Sequence, residues 1–378
     1  ERAQEQASCR AQPSAGAMPR PVEFNRAAAS FRAVLRLDAR RLTPQEFARW
    51  DGREPVILTN AAQGPFAPDA SDDDVARQRD DAEGAWAFWR HRLAQDQKER
   101  ALPYRRRLPN GTRETAWTRL GDFMQVVDEA RQRAPEPGLL AMEELVLNSE
   151  RALRPGPLAP VLEGEDFFQS SMPEEWRPPK FCLVLGTSGA RSALHTDPFG
   201  WTGWNLLLSG RKLWRFVVAS EQAEHSLYVE RPQQTNLAAH GESPVDLFAT
   251  AVVPAAGVPA ERQGAIPGWA VGGPDLERFP RAAEAEVAYE VEQQAGQAIV
   301  FPASWWHQTL HLTPTLSVAS QYVNENCARQ VLDGIARRAE LPEEALGTEW
   351  RAQPWPQQIA SLVEALEASG WVRRQGGV

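Results

Sequence analysis

His195 and Asp197 stand two residues apart in LHTDPFGWTGWNLLLSGRKLW (194–214), ahead of Asn205 and Lys212 in an otherwise apolar run. Side chains at i and i+2 of a strand point the same way. An imidazole and a carboxylate so spaced supply two corners of a metal face. Alone the triplet carries little weight: with 6 His and 50 acidic residues in 378, about one His-x-carboxylate triplet is expected by chance. A third ligand from a distant strand changes this. VFPASWWHQTLHL (300–312) offers His307 after an apolar strand and a Pro turn. Two histidines and a carboxylate disposed facially suit non-haem Fe(II), with positions left open for a small oxidant. The same set also suits zinc in a hydrolytic role, but Lys212 has no task there. In an oxidation driven by a 2-oxo acid, the ketone and first carboxylate chelate the iron, and the far carboxylate needs a cation deep in the pocket. Lys212, after the Ser209-Gly210 turn, meets that need, and Asn205 on the preceding strand can hydrogen-bond the same ligand.

The remaining polar and aromatic residues near these motifs have plainer readings. His311, four after His307, reads as a surface histidine or one standing behind the ligands, and His91, His225 and His240 read as surface residues. Ser192 reads as a turn hydroxyl. Trp201, Trp204, Trp214, Trp305 and Trp306 read mostly as core, with one or two walling a substrate entrance.

Short strands must position these groups. FCLVLG (181–186), GWNLLL (203–208), KLWRFVV (212–218), AYEVEQQ (288–294), GQAIVFP (296–302) and TLSVASQYV (315–323) are separated by Gly, Pro and polar turns rather than helices. That pattern predicts a barrel or sandwich, not a parallel α/β sheet. Upstream, Thr43, Pro44 and Glu46 spell a helix start, and EPVILTNA a strand. YRRRLPNGTRETAW carries Asn110-Gly111 between two strand-like runs, a hairpin signal. GDFMQVVDEARQR predicts a helix with Asp122 as its cap. Residues 231–286 hold seven Pro and six Gly without a period, an insertion that is a substrate lid or a loose loop. Near the C-terminus Ile359, Leu362, Val363 and Leu366 form one helical stripe, with Gly370 as stop. This stripe either covers the barrel's end or makes a homodimer contact.

The chain divides into a flexible lead-in (1–30), a catalytic domain (31–326) and a helical extension (327–378). Apolar residues at 42%, charged residues at 24% and a formal net charge of −9 describe a globular chain and argue against a broadly basic nucleic-acid binder. YRRRL (104–108) is the one local basic candidate, read as a solvated strand face. Cys9, Cys182 and Cys327 lie far apart without a CxxC pair, which favours a reducing compartment and disfavours a zinc–thiolate site. No apolar run approaches a membrane span. The chain opens on Glu1 rather than Met, which reads as a missing native start and targeting signal. The expected compartment is intracellular, cytoplasmic or nuclear.

EPVILTNAAQGPFA, HTDPFGWTGWNLLLSGRKLW and VFPASWWHQTLHL, in this order, resemble the successive signatures of the Jumonji-C branch of cupin-fold, Fe(II)- and 2-oxoglutarate-dependent oxygenases. Within it they are most similar to the phosphatidylserine-receptor-type arginine demethylase and lysyl hydroxylase subgroup. The resemblance runs from about residue 35 to 326, outside the insertion. It implies a mostly β, double-stranded β-helix (cupin or jelly-roll barrel) with helical additions at both ends. It also implies iron ligation by His195, Asp197 and His307, and 2-oxoglutarate anchoring by Lys212 with help from Asn205. O2 is the oxidant, with succinate and CO2 as co-products. The implied reaction is hydroxylation of a protein side chain, lysine favoured, or demethylation of N-methyl groups. A small-molecule substrate, an RNA-modifying hydroxylase and a degenerate binding module without turnover are the alternatives. Two departures bear on the cofactor. A Thr usual after the third ligand aligns with Ala319, leaving Ser317 as the substitute hydroxyl, and an upstream pocket Tyr has no match in GLLAMEELVLN (138–148).

Overall fold

The computed structural model describes residues 31–61, 86–87, 90–91, 93, 98–107, 113–132, 138–143, 161–162, 166–173, 177, 179–229, 241–249, 273–303 and 305–370. Its strands are β1 (Leu35–Asp38), β2 (Val56–Thr59), β3 (Ala101–Arg107), β4 (Arg113–Arg119), β5 (Leu139–Glu143), β6 (Phe181–Gly186), β7 (Leu194–His195), β8 (Thr202–Ser209), β9 (Arg211–Val217), β10 (Glu242–Ser243), β11 (Val287–Gln294), β12 (Ala298–Phe301), β13 (Trp306–His311) and β14 (Thr315–Tyr322). Helices are α1 (Pro44–Phe47), α2 (Leu120–Gln132), α3 (Phe167–Ser171), α4 (Glu221–Ser226), α5 (Ala328–Arg338), α6 (Glu343–Leu346) and α7 (Trp355–Ala368).

Nine strands form one sheet in the order β1-β2-β12-β8-β14-β6-β5-β3-β4, and five form another in the order β10-β7-β13-β9-β11. Apart from the parallel β1–β2 pair, the named strands pair antiparallel. Antiparallel strands joined by short turns and packed as two sheets are the expected double-stranded β-helix. Between the sheets lie Ile57, Trp214, Phe216, Ile299 and Phe301. On the far face of the large sheet, Leu183, Leu206, Leu316 and Val318 pack with Phe123 and Val127 of α2. Each fully buried side chain of this size contributes roughly 1.5–3 kcal/mol.

All six predicted central strands are present, within one or two residues at each end. The Thr43–Glu46 capping box forms, with each side chain bonded to the other residue's backbone N–H. The 101–119 hairpin pairs in register across seven residue pairs. Helix α2 begins at Leu120, so Asp122 lies in its first turn rather than at its cap. There it still favours the positive end of the helix dipole. Strands β5 and β13 carried no alternation signal. WHQTLH is buried on both faces throughout, and a strand enclosed on both sides has no polar face to alternate.

The C-terminal stripe behaves as a cover. Ile359, Leu362 and Leu366 pack against Val331, Leu332 and Ile335 of α5 and Phe167 and Phe168 of α3. The apolar face thus closes within the chain, which removes the motive for a dimer there. Gly370 follows in the left-handed region (φ 67°), as a helix stop requires. Of the insertion, 241–249 and 273–286 are described. Strand β10 extends the small sheet beside β7. Asp246 accepts from Arg191 at 2.8 Å and from Gln308 at 2.8 Å, while Gln308 accepts from the Leu247 amide at 2.7 Å. The lid-or-loop question and the 1–30 lead-in lie outside the described residues.

Candidate metal centre

Strand β7 is two residues long and ends at His195. Asp197 follows in extended backbone (φ −66°, ψ 152°), directly before a single 3-10 turn at Pro198–Gly200. The i, i+2 relation therefore holds although the strand itself stops. His307 of β13 pairs directly across from His195. This brings two residues more than a hundred positions apart to a ring-centroid distance of 4.3 Å. Asp197 Oδ1 lies 3.8 Å from His195 Nε2 and 3.6 Å from His307 Nε2. One donor atom from each of the three residues fits within a 4.8 Å span.

Both imidazoles are oriented by backbone. His195 Nδ1 is 2.9 Å from the Ala193 carbonyl, and His307 Nδ1 is 3.1 Å from that of Trp305. A carbonyl only accepts, so each Nδ1 carries a proton, which leaves Nε2 as the atom through which either ring could bind a divalent metal. Two neutral imidazoles and one carboxylate on one side of the cluster fit Fe(II). Gly203 makes room for them. A Cβ there would meet Asp197 Oδ2 at 2.3 Å and the Phe301 ring at 2.5 Å. Nothing local in the sequence marks this glycine, because the crowding comes from two other segments.

Deeper in the barrel Lys212 is 1% exposed. Its Nζ donates to Ser317 Oγ at 2.5 Å and to Asn205 Oδ1 at 3.4 Å, and Asn205 Nδ2 lies 3.4 Å from the same Ser317 oxygen. Burial pushes the Lys212 ammonium down to about 7. These hydrogen-bond partners are neutral, so the pocket suits a bound anion. Ala319 lies opposite Asn205 and Cys182 and brings no hydroxyl. Ser317, two residues earlier on the same face, supplies the hydroxyl that reaches Lys212. In β5, which carries no Tyr, the face paired with Gly186 and Val184 presents Leu140, buried, and Met142, exposed.

His311 is not a surface residue but fully buried. It lies across from Lys212, four residues or about 13 Å along the strand from His307. Its Nδ1 is 2.6 Å from Thr315 Oγ1, and its Nε2 has no hydrogen-bond partner among the described residues. Burial first, and the nearby Lys212 second, hold its pKa well below the ordinary imidazole range, so it stays neutral. Gly186 leaves the space: a Cβ there would sit 2.1 Å from His311 Nδ1. Of the remaining candidates, Ser192 receives the Thr309 amide at 2.9 Å, and His91 and His225 are exposed as expected. Trp204, Trp214 and Trp306 are core.

Residues 46–327 match the cupin-like domain family. The chain belongs to that family. Among curated proteins this cupin-like chain is 27% identical over 166 residues to lysine-specific demethylase JMJ21 of Arabidopsis thaliana, covering 44% of the chain and 15% of the relative. It is 26% identical over 146 residues to the bifunctional arginine demethylase and lysyl-hydroxylase psr-1 of Caenorhabditis elegans, covering 39% and 30%. It is 24% identical over 142 residues to the 2-oxoglutarate and iron-dependent oxygenase JMJD4 of Gallus gallus, covering 38% and 26%. The matches thus span less than a third of each of these relatives. Among the described residues no helix is long and apolar enough to cross a membrane.

Proposed function

We propose that this chain is an Fe(II)- and 2-oxoglutarate-dependent dioxygenase that hydroxylates a protein side chain, lysine first, or demethylates N-methyl groups. The observation that carries the reading is one barrel interior holding both the His195–Asp197–His307 cluster and, below it, a buried ammonium with neutral hydrogen-bond partners. The names of the relatives agree with this chemistry. Residues 31–326 are the catalytic domain in this reading, and 327–378 is its helical cover.

His195 and His307 would present Nε2 to a bound metal, and Asp197 would add its one negative charge. Bound Fe(II) and 2-oxoglutarate would supply the power to activate O2 and oxidise a C–H bond, with succinate and CO2 released. Lys212 would hold the far carboxylate of the co-substrate, while Ser317 fixes the Lys212 head and Asn205 contacts both. Phe301, with its ring centroid 4.5 Å from that of His307, and Trp214, at 6.1 Å, would keep water from the inner side of the His307 ring.

Succinate formation from 2-oxoglutarate with added Fe(II) is the test. Turnover is expected in the unaltered chain and lost in His195→Ala and Asp197→Ala together with bound metal. Unchanged metal content and turnover in those variants would sink the reading. The degenerate binding module rests on Ala319 and the missing Tyr; Ser317 on Lys212 weighs against it. A hydrolytic zinc site leaves Lys212 without a role.

A further inference from the structure

We propose that the outer strands β5, β3 and β4 form the docking face for an acidic, extended polypeptide, which lies along this wall while one of its side chains enters the metal centre. The proposal rests on the enzyme reading above and names the substrate class of the same site. It gives the YRRRL motif a task beyond that of a solvated face.

Register defines the wall. Ser317, which bonds Lys212 inside the barrel, pairs with Val184. Val184 pairs with Met142 and Gly186 with Leu140. Leu140 pairs with Arg105, and Arg105 and Pro103 pair with Thr115 and Trp117. Paired residues share a face, as do residues two apart. Val184, Met142, Pro103, Arg105 and Trp117 therefore continue the face that carries Ser317. The opposite face of the same strands carries Tyr104, which meets Phe123 of α2 at 5.9 Å, and the Arg106–Glu114 ion pair at 2.7 Å.

On this wall Trp117 is 71% exposed and Met142 42%, two of the four large apolar side chains that stand exposed among the described residues, the others being Trp50 and Val218. Around them stand Arg105, Arg113 and Arg119, on a chain whose net charge is −9. Arg119 pairs with Glu99 at 2.8 Å. Arg113 approaches Glu242 at 3.8 Å, and Glu242 is the residue directly across from the metal ligand His195. The cationic face thus reaches the strand beside the metal. Among the described residues β4 is the outermost strand of its sheet, so an added extended segment finds backbone groups to pair with. Arginines interleaved with one Trp select acidic residues flanking an apolar one. A single exposed ring, with Glu99 and Glu242 interspersed, is a poor stacking surface for RNA.

The experiment is fluorescence anisotropy on the full chain with a labelled 15-residue peptide carrying Glu at alternate positions around a central Lys. The comparison ligands are the same peptide with Lys in place of Glu, and a 15-nucleotide oligouridylate. The acidic peptide is expected to bind more tightly than either, and more weakly as salt rises. R105E/R119E is expected to weaken it at least tenfold with unchanged melting temperature and metal content, and Trp117→Ala severalfold. Should R105E/R119E misfold, R105Q/R119Q replaces it, with a smaller loss in the same direction. His195→Ala is expected to bind the peptide as the unaltered chain does, so failure of the metal reading leaves this result standing. Equal affinity for acidic and basic peptides, tighter binding of oligouridylate, or indifference to both the Arg and Trp substitutions would each overturn the proposal.

Discussion

At the rim of the barrel His195 and Asp197 keep 22% and 20% of their side chains exposed, whereas at its floor Lys212 and His311 are enclosed. Both regions are polar and both belong to one proposed site, yet they stand in different relation to stability. His195 is partly solvated and oriented by the Ala193 carbonyl, so it is free to serve a metal at little cost to the fold. The floor ammonium is desolvated and its hydrogen-bond partners are neutral, which opposes folding until an anion arrives. Function at the rim depends on which atoms converge; at the floor it depends on a group that the empty protein would be more stable without.

Substitutions separate the two regions. The largest expected effect is at the rim: His195→Ala removes a ligand and reduces metal retention and turnover by roughly 100-fold or more. Its melting temperature should move little, and a large fall would contradict the contrast. Gly203→Ala comes next. Its Cβ would press on Asp197 and Phe301, so a metal-affinity loss of about 10–100-fold and a destabilisation of about 1–3 kcal/mol are expected, read by metal titration and denaturant unfolding.

Lys212→Met should do the opposite of a rim substitution. Binding of 2-oxoglutarate weakens, while the chain gains roughly 1–4 kcal/mol near pH 7. The sign follows from the shift. The folded-state pKa of about 7 lies below the model-peptide value of 10.5, so between them the unfolded chain holds a proton that the folded chain has released. Stability therefore rises with pH across that window and carries the full penalty below about pH 7. Unfolding curves measured across that window should show this slope in the unaltered chain and lose it in Lys212→Met. Calorimetric binding of 2-oxoglutarate should weaken as pH rises above about 7, because Lys212 must take up a proton to meet the carboxylate. The smallest effect is expected for Ser317→Ala, about 1–2 kcal/mol in co-substrate affinity, read by the same titration. An Ala319→Thr companion that restores the affinity would show that the hydroxyl is what matters.

Legibility in the sequence followed the same division. The proposed ligands were readable because two of them sit two apart on an extended segment and the third follows a Pro turn. Strands with one polar face, such as β11, announced themselves by alternation. β13, buried on both faces, did not, and this is why His311 was read as a surface or supporting residue although it lies at the floor. The 231–286 insertion was visible as a break in pattern. That its 241–249 portion adds a strand beside His195 was not, since a two-residue pairing leaves no period.

The sequence by itself determined the residue types able to hold a metal and an anion, the face each would take on its strand, and the helical stop at Gly370. These are local properties, fixed by the two-residue repeat of a strand and by the backbone freedom of glycine. Tertiary structure alone decided that His195 lies across from His307, that Lys212 meets Ser317 rather than a hydroxyl at position 319, and that Gly203 yields its space to Asp197. It also brought Arg113, beside the YRRRL strand, to 3.8 Å from Glu242, the residue across from His195. Those facts depend on which strand pairs with which and in what register, and a repeat of two specifies a face without specifying a partner.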